Sequence, residues 1–488
     1  MKNIIYKKAE YLFILLLLLS SCDLDVNDNP NSPTTASVIE LLPHGQVSVI
    51  EPFSGLVNAI TSSAVQTRVN SRYDNYTVSR TTIDGLWNNS LYSGGLKDLE
   101  DVIAQGTIEE QWHYVGIAKL MKAYTFSLMV DLWNDIPYSE AFDSEIDLPA
   151  YDSGSDIYAN LEALIIEALG DLNKTSVLSP GSDDVVYSGD LAKWQKMGNT
   201  LLLKMYNQTR LVDSGVGSKM EALITQGNLI QSSADDFQLI FGSTAAPENR
   251  MSLFEVDYVT RLDNRIANYF NNLLTGNNDP RIPYYLYNQT PGEFIGRDSG
   301  NPNGLSTFED QDTRTFHGAY PAGGKFDDGS GGITNAEMGL KGAATYRMMT
   351  NAMRIFMEAE AVLTLNITAS ANVEVLFEEG IREAMAKVND LGVGPGISTD
   401  QINTYVNNRL AEFNTADDSG KLELVMMEKY VHLFGNGMEQ YNDWRRTGYP
   451  DDLTLVVETN PVLNRFPYPA STTPPTDPNN DEFVFWDN

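Results

Sequence analysis

Apolar side chains recur every three or four residues through much of the chain, the spacing of one face of an α-helix. Over residues 111–132, Trp112, Val115, Ala118, Met121, Thr125, Leu128 and Leu132 fall on one stripe. Gly116, Ala118, Ala123 and Ser127 in the same stretch are small enough to let a neighbouring helix come close. Pro137 ends the pattern, because proline removes a backbone donor and clashes with the preceding turn. A second helix is expected to open at Ser155, a good N-cap, with Ile157, Leu161, Leu164 and Ala168 inward. A third is expected over 191–211, burying Trp194, Met197, Leu201 and Met205. Others are expected over 348–363, 373–391 and 422–434, the last stopped by Gly435. Their roughly paired spacing suggests helix pairs stacked side by side, as in a tetratricopeptide-like array. The consensus residues of that repeat are not legible.

Residues 275–345 break the period. They contain "NNDPRIPYYLYNQTPGEFIGRDSGNPNG" and "HGAYPAGGKFDDGSGG", dense in Gly, Pro and Asn. Tyr284, Tyr285, Tyr287, Phe294, Tyr320 and Phe326 are scattered through them without period. Long irregular segments are uncommon in compact domains and often carry function, so these rings are expected on a working face. The stretch "MEKYVHLFGNGMEQYNDWRRTGYP" holds a helix, a glycine stop and a knot of Trp444, Arg445 and Arg446. Arginine stacked on rings and paired to carboxylate commonly pins a chain end, so this knot reads as structural.

The N-terminus has another character. Lys2, Lys7 and Lys8 precede an apolar block over residues 11–19. That block is roughly half the length of about 20 residues that a bilayer span needs, and has the shape of a secretory signal. Leu19-Ser20-Ser21-Cys22 resembles a bacterial lipobox, in which the cysteine thiol is lipidated and becomes the first mature residue. Cys22 is the chain's single cysteine. The expected organisation is a signal peptide over 1–21, a lipidated and flexible tether over 22–37, and one globular domain over 38–488. One acyl chain anchors only marginally, and lipoproteins of this kind carry more than one. With Cys22 committed to lipid, disulfides, cysteine metal sites and cysteine nucleophiles are excluded.

Charge narrows the partners. The chain has 33 Lys+Arg against 66 Asp+Glu; removing the leader leaves 30 against 65, a net charge of −35. Nucleic acid and anionic lipid are therefore not the main partners. Catalytic signals are sparse. His44, His113, His317 and His432 lie far apart, and neither a His-Glu-x-x-His nor a Gly-x-Ser-x-Gly motif occurs. "AGGKF" has the wrong glycine spacing for a phosphate loop. The Asp-x-Asp-x-Asn start after Cys22 lacks the glycine and closing glutamate of a calcium loop. No cofactor is expected.

Several segments together resemble a known family. They are "LWNNSLYSGGLKDLEDVI", "KLMKAYTFSLMVDLWNDIPYSEAF", "LPAYDSGSDIYANLEALI", "GDLAKWQKMGNTLLLKM", "NDPRIPYY", "EKYVHLFGNGMEQYNDWRRTGYP", "RFPYP" and "FVFW". In this order they are similar to the SusD-like (RagB/SusD) outer-membrane nutrient-binding lipoproteins of Bacteroidota. The resemblance implies a mainly α fold, with a tetratricopeptide-like helix-pair scaffold and long irregular loops forming the ligand face. It also implies a non-catalytic surface lipoprotein that captures oligosaccharide and delivers it to a SusC-type TonB-dependent transporter. Asp23, Asp25 and Asp28 resemble an export address to the outer leaflet. The alternatives are a peptide-binding member of the same family and an outer-membrane glycoside hydrolase with an unrecognised carboxylate pair.

Sugars offer flat C–H faces rimmed by hydroxyls, which aromatic plates with neighbouring amides complement. Two segments have that composition, residues 70–89 and 284–326. They nominate Tyr73, Asn75, Tyr76, Trp87, Asn88, Tyr284, Tyr285, Tyr287 and Tyr320 as ligand-binding residues.

Overall fold

The computed structural model describes residues 36–70, 76, 78–260, 264–300, 313–453, 463–472 and 483–487. Cys22, the leader and most of the tether lie outside them. The first half builds α1 (Val38–Ser54), α2 (Leu56–Ala64), α3 (Lys97–Ile108), α4 (Trp112–Trp133), α5 (Gly154–Asp171), α6 (Leu191–Gln208) and α7 (Val216–Gln226). The second builds α8 (Asn268–Gly276), α9 (Asn351–Leu365), α10 (Val373–Asn389), α11 (Thr399–Phe413), α12 (Asp418–His432) and α13 (Gly437–Thr447). Sequence neighbours pack on one another, α3 on α4, α4 on α5, α9 on α10 and α11 on α12, which is the helix-pair scaffold expected.

Caps decide where these helices begin. Ser153, not Ser155, caps α5, its side chain accepting from the Asp156 N–H. Asp190 accepts from Ala192 and Lys193 at the start of α6. Asp417 accepts from Gly420, so α12 starts ahead of the expected 422. Helix α9 starts at Asn351 rather than 348, because the preceding residues form a strand and Thr350 caps. Helix α1, not among the helices read from periodicity, contains Pro43 and Pro52. Burial of Leu42, Val49, Ile50 and Phe53, each at most 1% exposed, overrides that local penalty.

Among the described residues, eight short strands pair two by two. They are β1 (Arg68–Asn70) with β5 (Asn264–Ile266), β2 (Ile136–Pro137) with β3 (Tyr151–Asp152), β4 (Phe237–Ile240) with β8 (Thr345–Met349), and β6 (Leu286–Asn288) with β7 (Thr315–His317). All four pairs are antiparallel. One core lies among α1 and α3–α7, with Leu42, Leu120, Leu161 and Leu201 inside. A second lies among α8–α12, with Phe270, Phe356, Phe377 and Val406 inside.

Helix α4 is buried nearly all round. An ideal Cβ on Gly116 would stand 2.7 Å from Leu172 Cδ2 and 3.0 Å from the Ala168 carbonyl, so the end of α5 packs directly on α4's backbone. Near the far end of α4 sits Asp131, 0% exposed. It accepts from Tyr158 on α5 (2.5 Å), Asn442 on α13 (2.8 Å) and the Trp486 indole of the C-terminal tail (2.9 Å). Lys204 of α6 lies 3.8 Å from Asp131 and 3.2 Å from Glu439. Burial works against the Lys204 charge, yet Glu439 and Asp131 outweigh it and raise its pKa. The network runs on through Lys429–Asp443 (2.9 Å), Arg446 with Asp443 and Glu360, and Arg210–Glu360 (3.1 Å). Four buried carboxylates thus meet four buried cations from α4, α6, the turn after α6, α9, α12 and α13.

The knot around Arg445 pins the chain end as expected. Its guanidinium lies 4.2 Å from the Tyr441 ring and 4.7 Å from the Trp486 ring, and donates to the carbonyls of Asp131 and Asn464. Trp133 Nε1 donates to the Pro467 carbonyl, and the Phe466 N–H donates to the Leu132 carbonyl.

Removing Asp131 leaves Lys204 and three donors short of an acceptor. Asp131→Ala is expected to cost on the order of 3–5 kcal/mol, read as the shift in chemical-denaturation midpoint. Asp487 gives a pH signature. Burial pushes its carboxyl up to about 6, with Arg445 only partly offsetting it. Its stabilising contribution is complete below the unfolded value of about 3.9 and is lost as pH climbs toward about 6. Asp487→Asn is therefore expected to be more stable than the parent at pH 7 but not at pH 4, by urea unfolding.

Candidate functional site

An irregular layer joins the start of the first nominated segment, at Asn70, to the 284–326 segment. In the β1–β5 ladder, Arg68 stands opposite Ile266 and Asn70 opposite Asn264. The Arg297 N–H donates to the Ile266 carbonyl (3.0 Å), and the Thr315 N–H donates to the Ile295 carbonyl (3.3 Å). The strand β7 then pairs with β6, Leu286 opposite His317. Backbone pairing therefore carries the layer from residues 68–70 across β5 and residues 295–297 to residues 286–288.

A buried hydrogen-bonded clamp lies beneath it. His317 Nδ1 stands 2.6 Å from Asp257 Oδ2, with exposures of 3% and 0%. Asn264 Nδ2 donates to the other carboxylate oxygen at 2.5 Å. Burial opposes the Asp257 charge, but His317, Arg68 and Asn264 outweigh it and hold the carboxyl below its usual range. The His317 ring stacks on Phe434 at 5.3 Å, which ties the layer to the turn after α12. Tyr258 OH donates to the His317 carbonyl (2.9 Å).

The structure places most nominated rings under this layer, not on it. Tyr285 and Tyr320 are 0% exposed and stack on each other at 5.0 Å, with the Arg347 guanidinium 3.5 Å from the Tyr320 ring. Tyr284, 2% exposed, packs on Phe326. Tyr287 is also 0% exposed; its hydroxyl donates to the Gly331 and Gly332 carbonyls, and Lys325 lies over its ring. Tyr76 is buried and receives a hydrogen bond from Gln66. Trp87 is buried edge-on against Trp133 (4.9 Å) and beside Tyr92 and Tyr468. Such rings have no open face for a sugar. They bury area that holds a sparsely hydrogen-bonded segment in place. Asn88 is the exposed member, its amide donating to Ser471 Oγ at 2.8 Å. Tyr73 and Asn75 lie outside the described residues.

Sequence periodicity missed the grooves between helices, which exist only once the helices pack. One, of about 370 Å³, opens between α5 and α6 beside Phe485. Tyr158, Tyr206, Glu162, Asp213 and Lys219 line it. Glu162 accepts from Tyr206 OH and Lys219 Nζ, both at 3.0 Å, so its floor is already internally paired. Among the described residues no cluster of three or more His, Cys, Asp or Glu is arranged to hold a metal ion, and no helix is long and apolar enough to cross a membrane.

A paired-helix scaffold that carries a loop-built, ring-braced layer is a helical-repeat architecture with one layer in irregular structure. The chain belongs to the SusD-like family: the family model, described as starch-binding associating with outer membrane, matches residues 30–469. Solved structures share the fold. A SusD homologue from Bacteroides uniformis superposes with a TM-score of 0.73 at 19% identity, covering 92% of this chain and 99% of that one. A chitin-binding SusD homologue from Flavobacterium johnsoniae gives 0.69 at 18% identity, covering 88% and 92%. A SusD/RagB family protein from Bacteroides thetaiotaomicron gives 0.67 at 20% identity, covering 89% and 93%. No curated protein matches the chain by sequence.

Asp257→Asn tests the clamp. A carboxyl held below its unfolded pKa stabilises above about pH 3.9, and that contribution is lost as pH falls through the lower native value. The variant is expected to lose on the order of 3 kcal/mol at pH 7 and to fall less steeply than the parent below about pH 4, by denaturation across that range.

Proposed function

We propose that this chain is a surface glycan-binding lipoprotein, anchored in the outer membrane through lipid on Cys22. It faces the exterior, holds oligosaccharide without altering it, and passes it to a SusC-type TonB-dependent transporter. The observation that carries this reading is the family match over nearly the whole chain after the tether's first residues, with a description that couples starch binding to the outer membrane. A solved neighbour of the same fold is a chitin-binding protein, which adds glycan as the ligand class.

The irregular layer is the proposed capture face. Its backbone is fixed by the His317–Asp257 clamp and by the stacked rings, so it has little freedom left to lose on binding. Tyr73 and Asn75, which lie outside the described residues, are the proposed ligand-binding ring and amide by composition, together with Asn88. The buried Tyr76, Tyr284, Tyr285, Tyr287 and Tyr320 serve as the layer's support, while Trp87 packs in the core beside Trp133.

Three measurements check this. Purified protein incubated with labelled chito-, malto- and xylo-oligosaccharides is expected to retain one class and release no product. Turnover that a single Asp or Glu substitution abolishes would replace capture by hydrolysis, and retention only of basic peptides would change the ligand. Cys22→Ala is expected to leave the protein out of the membrane fraction. Pull-down of the lipidated form is expected to recover a β-barrel companion.

A further inference from the structure

We infer that a second, neutral-sugar site lies in an amide-lined groove between the turn after α8 and helix α11, which rests on the glycan-binding reading above. The groove has a volume of about 310 Å³ and is lined by Asn277, Asn278, Pro280, Asp400, Gln401, Thr404, Tyr405 and Asn408. That volume is within the range of small-ligand pockets.

Its walls are rigid. Arg281, fully buried, donates to Asp279 through Nε (2.9 Å) and Nη2 (2.6 Å), and pairs with Glu428 of α12 at 3.1 Å. Glu428 also accepts from Tyr405 OH (2.7 Å) and Arg409 Nε (2.9 Å), both on α11. One buried five-residue network therefore clamps the 277–281 turn and α11 to the same carboxylate. Asp279 and Glu428 answer Arg281 and Arg409 within it, and the one lining group it takes up is the Tyr405 hydroxyl.

The groove surface is the reverse. The side chains of Asn277, Asn278 and Asn408 have no hydrogen-bond partner among the described residues, and neither has the Asp400 carboxylate. Each primary amide offers an acceptor and two donors, which suits the vicinal hydroxyls of a pyranose ring. Pro280 and the edge of Tyr405 supply apolar surface for a C–H face. Asp400 is the one charged residue of the lining, so an acidic sugar is repelled and a neutral one is not. Asn278 is held in the left-handed region (φ 51°), a conformation asparagine accepts more readily than most residues. The site presents amides on a preorganised frame, with no cation to select for carboxylate or sulfate.

The test is calorimetric titration of the full chain in polyoxyethylene detergent, which has no sugar headgroup. The probes are chitohexaose, maltoheptaose and xylohexaose, with oligogalacturonate as the acidic control. The parent is expected to bind a neutral probe at two sites. The Asn277→Ala/Asn408→Ala variant is expected to bind at one, with the second weakened at least tenfold and the melting temperature unchanged. Asn408→Trp, which fills the groove, is expected to do the same. Unchanged stoichiometry and affinity in both variants would overturn this site while leaving glycan capture elsewhere intact. Binding of oligogalacturonate lost with the same substitutions would overturn its neutral-sugar assignment. Failure of every probe to bind the parent would remove both readings together.

Discussion

A single carboxylate at the end of the most buried helix organises the scaffold. Asp131 takes hydrogen bonds from three separate segments while Lys204 faces it from a fourth, all without access to water. Ion pairs in such a place gain little over well-packed apolar residues, because removing charges from water costs about as much as pairing them returns. What they impose is register. Helix α13 brings Glu439, Asn442, Asp443 and Arg446 to the network at once, and a displaced docking would strand several of them. The C-terminal tail is held to the same point through Trp486. The end of the chain thereby closes over helices formed near its beginning and middle.

The same principle recurs under the irregular layer and beside α11. In each, a buried carboxylate (Asp257 or Glu428) gathers donors from elements distant in sequence and fixes a segment that has few backbone hydrogen bonds of its own. Aromatic rings then fill the remaining space. Tyr285, Tyr320, His317, Phe434 and Phe270 form a continuous pile between the layer and the helices. Loops rich in glycine and proline cannot bury a regular face, and large rings give them the apolar area to stay docked. This explains why a segment dense in rings can be irregular while most of its individual rings turn inward.

Ligand recognition on such a protein is separated from folding. The clamps pair their charges in the interior, and beside α11 the amides of Asn277, Asn278 and Asn408 stay out of that pairing. Weak contacts to hydroxyls become useful when the groups making them are already ordered, since less entropy is then lost on capture. Two sites on one rigid body would also raise the effective affinity for a chain long enough to reach both.

The helical periodicity of residues 111–132 was legible in the amino-acid order, because it depends on neighbours within a few positions, and the knot at Trp444, Arg445 and Arg446 was legible as structural from its composition. So was the placement of irregular structure at 275–345. The cap of α5 was not, Ser153 serving where Ser155 was expected. Helix α13 was not, since its few apolar residues leave no stripe and its stability comes from buried charge. Nor was the inward turn of Tyr284, Tyr285, Tyr287 and Tyr320, because a tyrosine has the same composition on a surface as in a core. Local order decides which segments are helices and which are loops. Only tertiary packing decides which side chains keep a face to water, because burial is set by elements that approach from far along the chain.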